Sequence, residues 1–341
     1  MINLIPFTEK DRDAYTARRS GETKLGEKIQ LISGDLEASL KNSPARIVIL
    51  GIPEDFGPRA NHGFSGASNA WETSIRKFLN IQENKFLSGT DFILAGQIKC
   101  GDLQKRSLNL NHDIPEQLKQ LRELVSELDQ RVTEIIECIV SNNKLPIVIG
   151  GGHNNAYGLL AGSSKALGRK INCINLDPHA DYRPLEGRHS GNGFSYAAND
   201  GFLDKYFVLG LHESYNSKYM LDQSENGAFE YITFDRMIGD NIDFEQTIAR
   251  ASEYVNHGPV GIEIDLDSIE NMPTSAKSPS GFSVNDVRYF SKKVVESLQS
   301  VYVHIAEGAP KDPQEQNMVG KTVSYLIADI CKVYLKKTLV K

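Results

Sequence analysis

Cysteine is scarce. The 341-residue chain has four, Cys100, Cys138, Cys173 and Cys331, and no two share a disulfide-framework or metal-ligand spacing. Cys138 and Cys173 fall in apolar segments, which fits buried free thiols in a reducing compartment and excludes a stapled secreted scaffold. Basic clusters are also lacking. Lysine and arginine number 38 against 44 acidic residues, for a net charge of −6, and no basic stripe appears. Nucleic acid and anionic membrane surfaces are therefore excluded as partners. No apolar run approaches the roughly 20 residues of a membrane span. The opening "MINLIPFTEKDRDAY" turns polar within ten residues and has no signal-peptide core. The expectation is a cytoplasmic protein. Linkers, repeats and low-complexity tracts are missing too, so residues 1–341 read as a single domain, with residues 1–40 an N-terminal arm or helix packed on it. The oligomeric state stays open, a homo-oligomer included.

Short runs rich in valine and isoleucine are present instead. "ARIVILGIP" (45–53), "LPIVIGGGH" (145–153), "INCINLDPH" (171–179), "YFVLGLHE" (206–213), "VGIEIDLDS" (260–268) and "VYVHIAEG" (301–308) read as buried strands. Between them, residues 115–140 repeat Leu118, Leu121, Val125, Leu128, Val132 and Ile135 at helical spacing. Residues 244–255, 285–298 and 318–336 are similar, with Asn285 placed as a helix N-cap. Strands that are apolar almost throughout, alternating with amphipathic helices, predict an α/β fold with a mostly parallel sheet covered on both faces.

In such sheets ligands bind beyond the carboxyl ends of the strands. The reactive residues of this sequence gather there. Asp55 follows the first run and His153 ends the second. Asp177, His179 and Asp181 end the third, Asp265 and Asp267 the fifth, and Glu307 the sixth. Residues at i, i+2 and i+4 of an extended strand point to one side. Four aspartates brought together that way repel one another, and two divalent cations would cancel their charge. Carboxylate oxygen with one or two imidazoles suits Mn²⁺ better than Zn²⁺. The simplest reading is a dinuclear site that makes hydroxide available at neutral pH.

"GGGH" (150–153), "DPHAD" (177–181) and "DLD" (265–267) resemble, in order and spacing, the three metal motifs of the ureohydrolase superfamily: arginases, agmatinases, formimidoylglutamases and guanidino-acid hydrolases. The likeness covers roughly residues 45–335. It implies a three-layer α/β/α sandwich with a parallel sheet of about eight strands, and two Mn²⁺ per chain. His153, Asp177, Asp181 and Asp265 would be ligands of one ion, and His179, Asp181, Asp265 and Asp267 of the other. "HIAEGAP" resembles the late strand-end glutamate, which puts Glu307 opposite the amidine or guanidine carbon, with Asp181 the second catalytic group.

Four details resemble the formimidoylglutamase branch. Gly152 stands where arginases carry Asp. Gly193-Phe194 follow "SGN" where arginase has Leu-His. Arg183 stands two residues after Asp181. "GIPEDFGPRANHGFSGA" is similar to that branch's early loop. The substrate implied is N-formimidoyl-L-glutamate, cleaved to glutamate and formamide. Arg183, Asn192, Arg59 and His189 are the residues expected to touch it, although Glu186 offers Arg183 an internal partner. Pro178, Glu270 and the loop 271–282 depart from the family pattern. A guanidino-acid hydrolase, agmatinase or arginase-like enzyme is the alternative within the class. A zinc deacylase and a non-catalytic member lie further off, since all six ligand positions are filled.

Overall fold

The computed structural model describes residues 3–240 and 242–339. Ten strands form one sheet: β1 (Leu4–Pro6), β2 (Gln30–Leu31), β3 (Ile47–Gly51), β4 (Phe92–Ile98), β5 (Leu145–Ile149), β6 (Ile171–Leu176), β7 (Leu203–Leu211), β8 (Glu230–Thr233), β9 (Val260–Asp265) and β10 (Ser300–Ala306). Their order is β1-β4-β3-β5-β10-β9-β6-β7-β8, with β2 also paired to β4. From β4 to β8 every pairing is parallel, which gives the expected eight-stranded core. β1 adds an antiparallel edge strand and β2 a two-residue parallel one. The N-terminal segment thus joins the sheet, and it also carries the helices Glu9–Tyr15 and Leu36–Asn42.

The strands alternate between two apolar layers. Ile47 and Ile49 of β3 enter one cluster, Val48 and Leu50 the other, and β5 repeats this with Ile147 and Ile149 against Val148. Helices Ala70–Phe78, Phe244–Val255, Val284–Ser297 and Pro313–Leu339 cover the first layer. Pro115–Ser141 and Ala156–Leu167 cover the second. The long helix Pro115–Ser141 starts on a proline, which needs no amide hydrogen bond there. It buries Leu121, Val125, Leu128, Val132 and Ile135 along one face, as its periodicity predicts.

Two details correct the sequence reading. Asn285 is not a cap. The helix Val284–Ser297 begins after Ser283, whose hydroxyl accepts from the Asp286 amide while Asp286 returns a bond to the Ser283 amide. Strands β4 and β8 escaped notice because "FILAGQI" carries a glycine and a glutamine, and "EYIT" is only four residues long.

Candidate metal centre

The four central strands in sheet order, β5, β10, β9 and β6, all run the same way. Their carboxyl ends meet at one place. After β5 the chain turns through Gly150 (φ +84°) and Gly151 (φ +73°), a left-handed pair that glycine tolerates without strain. A Cβ on Gly152 would lie 2.4 Å from Pro58 Cδ, so the larger residue expected of arginases does not fit this turn. The turn delivers His153 into a fully buried position.

His153 Nδ1 lies 3.0 Å from Asp177 Oδ2, 3.1 Å from Asp181 Oδ2 and 3.0 Å from Asp265 Oδ2, yet it has no hydrogen-bond partner of acceptable geometry. One N–H can donate to one carboxylate. Three oxygens at nearly equal distance around a buried nitrogen are what a shared cation requires. These four side chains also form a group whose ligand atoms all lie within 4.8 Å of one another. The donor set, one imidazole with carboxylate oxygens, fits a hard or borderline divalent ion such as Mn²⁺.

The neighbouring groups extend the cluster. His179 Nδ1 lies 3.4 Å from Asp177 Oδ1 and 3.8 Å from Asp267 Oδ2. Asp265 Oδ1 accepts from the Asp267 amide at 2.7 Å, and Asp177 Oδ1 from the His179 amide at 2.7 Å. The opposite oxygens converge, and Asp177 Oδ2 also accepts from Asn175 Nδ2 at 2.9 Å. Burial, followed by the charge of Asp177, pushes the carboxyls of Asp181 and Asp265 above the usual range, and burial does the same for Asp267. Crowded acids that resist ionising together mark a place where positive charge is wanted.

Asp181 (φ +46°) and Glu307 (φ +66°) both hold left-handed backbone, which costs a non-glycine residue energy and concentrates at functional sites. Glu307 Oε1 accepts from the His153 amide at 2.7 Å and Oε2 from the Ser275 hydroxyl at 2.6 Å. Burial and then Asp267 push its carboxyl up to about 8. Glu307, Asp181, Asp265, Asp267, His179 and Arg183 line a cleft of about 220 Å³.

The expected substrate contacts divide. Arg183 lines the cleft with its side chain 45% exposed, and its Nε and Nη2 reach Glu186 Oε1 at 3.3 and 3.2 Å. The other three bond to the scaffold. Asn192 is fully buried and uses its amide on Arg188, the His189 amide and the Gly187 carbonyl. Arg59 donates to Ser107 and to the carbonyls of Ser107 and Leu110. His189 accepts the Gly191 amide on Nδ1, so its proton sits on Nε2, 3.1 Å from Glu186 Oε1. Burial and the cations Arg122, Arg183 and Arg188 push its pKa down to about 2.

Asp55 also turns to the scaffold, accepting from Gln104 Nε2 at 2.7 Å and from the Gly66 amide at 3.1 Å. Phe194 stacks on Tyr206 (4.2 Å between centroids) and sets its edge to His153, so it is wall packing. Sequence reasoning passed over Glu54, Glu263 and His304, all fully buried. Glu54 binds the amides of Gly57 and Gly152 and the side chain of Asn155, and so holds the glycine turn. Glu263 and His304 lie beneath His153. A charged residue interrupting an apolar strand was the available signal for both.

Comparisons with known proteins agree with this geometry. A sequence model of the Arginase family matches residues 45–332. A formimidoylglutamase of Geobacillus thermodenitrificans (strain NG80-2) is 27% identical over 315 residues, covering 90% of this chain and 88% of that protein. Among solved structures, formimidoylglutamase of Bacillus subtilis superposes with a TM-score of 0.71 at 14% identity, covering 94% of each chain. Trypanosoma cruzi formiminoglutamase, determined with two Mn²⁺ ions, gives 0.70 at 16% identity, covering 91% of this chain and 99% of that one. With the family match spanning most of its length and the three motifs brought together on three of four neighbouring strand ends, the chain belongs to the arginase family.

Proposed function

We propose that this chain is a two-metal hydrolase of a linear amidine, converting N-formimidoyl-L-glutamate and water into L-glutamate and formamide. The observation that carries the reading is the buried His153 nitrogen encircled by Asp177, Asp181 and Asp265. The formimidoylglutamase relatives support the substrate. His153, Asp177, Asp181 and Asp265 would hold one divalent ion, and His179, Asp181, Asp265 and Asp267 the second. Bound there, a pair of Mn²⁺ ions would supply charge neutralisation, polarisation of the substrate and a water made nucleophilic at neutral pH.

The chain's own groups do the rest. Asp181, fixed by its left-handed backbone, presents a carboxylate oxygen to the attacking water. Glu307 is held by the His153 amide and Ser275, and it accepts hydrogen bonds from the amidine N–H groups, fixing the carbon for attack. When the C–N bond to glutamate breaks, the departing nitrogen takes up a proton and the former amidine carbon leaves as formamide. Arg183 offers a planar guanidinium to a substrate carboxylate, displacing Glu186. Among the described residues no helix is long and apolar enough to cross a membrane. With four free cysteines, three of them buried, we place the reaction in the cytoplasm.

The test is kcat/KM of Mn²⁺-loaded protein on formimidoylglutamate, arginine, agmatine and small guanidino acids. Formimidoylglutamate should rank first. Arg183→Ala should raise its KM about tenfold, as loss of one charge-assisted pair does. Agmatine or arginine ranking first, with urea as product, would refute the substrate and leave the two-metal site standing.

A further inference from the structure

Beneath the proposed metal centre lies a polar layer that the reaction scheme does not use. Glu263 and His304 are fully buried on the adjacent central strands β9 and β10, and strand register sets them directly opposite one another. His304 Nδ1 lies 2.7 Å from Glu263 Oε2, and the same oxygen lies 3.2 Å from His153 Nε2. The second nitrogen of His304 faces the Gly150 carbonyl at 3.4 Å, in the glycine turn that carries His153. One carboxylate therefore joins two imidazoles, and the pair reaches both the ring and the turn of a single ligand candidate.

A carboxylate inside a parallel sheet, packed on both faces, is costly unless it has bound partners. Its position gives it a task. A neutral imidazole has one protonated nitrogen and one lone pair, and the hydrogen bond on one side decides which is which. Glu263 accepts at Nε2, so the proton is held there and the lone pair of Nδ1 points among Asp177, Asp181 and Asp265. Without Glu263 the ring can place its proton on Nδ1, donate it to one of those aspartates and close the site to a cation.

We infer that Glu263, braced by His304, is a positioning residue that locks His153 in its metal-binding tautomer and orientation, so that it governs one of the two metal sites selectively. The inference rests on the two-metal reading above, and the experiment separates the failure of one from the failure of the other. His153 can serve only the first ion, because the second set consists of His179, Asp181, Asp265 and Asp267. Removing Glu263 should therefore weaken the two sites unequally, a result that general loosening of the fold does not give.

The experiment is stepwise Mn²⁺ binding to metal-free full-length protein, by calorimetry and by the electron paramagnetic resonance signature of coupled against isolated Mn²⁺. The wild type, Glu263→Gln and Glu263→Asp are compared, with the melting temperature of each metal-free protein as the folding control. Wild type should take two ions with a coupled signal. Glu263→Gln should lose 10- to 100-fold in affinity at one site, the range found for partners of metal-binding histidines, while the other site changes much less and an isolated Mn²⁺ signal grows. Glu263→Asp keeps the charge but pulls it back by one methylene, and should show the same inequality in weaker form even if Glu263→Gln does not fold. Two coupled ions bound with wild-type affinity in either folded variant would overturn the inference and leave the two-metal reading intact. Equal weakening of both sites would also overturn it. Wild-type protein that takes no pair of ions would overturn both.

Discussion

Asp265 carries the heaviest demand placed on any side chain here. It ends β9, fixes the next turn through the Asp267 amide, and presents its other oxygen 3.0 Å from His153. As a proposed ligand of both ions it has no substitute, so Asp265→Ala should lower bound Mn²⁺ below one equivalent and abolish turnover. Elemental analysis beside a rate assay checks this, and normal metal content with a near-normal rate would show the assignment to be wrong. His189 presents the opposite case. Its folded pKa lies near 2, whereas an unfolded histidine titrates near 6.5. Below about pH 6.5 the unfolded chain binds a proton that the folded chain refuses, so stability falls as pH drops, by at most about 1.4 kcal/mol per unit from this group. His189→Gln should flatten that slope between pH 6.5 and 4.5 in urea unfolding. An unchanged slope would return His189 to the list of groups able to exchange protons.

These two residues show how far single positions were legible. Asp177, His179, Asp181, Asp265 and Asp267 were singled out from an extended-strand pattern, yet only Asp265 lies in a strand: β6 ends at Leu176, Asp181 is left-handed and Asp267 sits in the turn Leu266–Ser268. For His189, Asn192 and Arg59 spacing was no guide: Arg59 ends the short helix Phe56–Arg59, and His189 precedes and Asn192 closes the tight turn Ser190–Asn192. There the direction of a side chain depends on partners such as Arg188, Ser107 and Glu186, which no local spacing reveals. Glu263 and His304 stood in plain view inside apolar strands, and the acids next to them drew the reading away.

At the scale of elements, helix faces and central strands followed from periodicity, while ends and edges did not. The cap of the helix Val284–Ser297 is one such end. Ser283 and Asp286 exchange hydrogen bonds, so Ser283→Ala should cost about 1 kcal/mol in chemical unfolding. Asn285→Ala should change stability by less than about 0.5 kcal/mol, being a substitution away from the cap. The reverse order would contradict the observed capping. Edge strands failed for a related reason. β1 pairs over three residues and β2 over two. Such short pairings are imposed by the finished sheet edge rather than encoded by a local pattern, which is why residues 1–40 read as an arm.

For the whole molecule, fold and chemistry are one arrangement. Four parallel strands side by side bring residues more than 150 positions apart, His153 and Glu307, to one point, and no short segment could assemble that site alone. The cluster also opposes its own formation until cations enter, because its carboxyls are crowded and buried. Ions that bind only the folded chain return that cost as stability, about 2.7 kcal/mol for each site at a hundredfold excess over its dissociation constant. Metal, stability and turnover should therefore rise together. The most direct measurement is a titration of metal-free protein with Mn²⁺ while glutamate release from formimidoylglutamate is followed. Release should begin with added Mn²⁺ and reach its plateau at two equivalents per chain. No glutamate at any loading, or a full rate at one equivalent, would contradict a two-metal hydrolase of formimidoylglutamate.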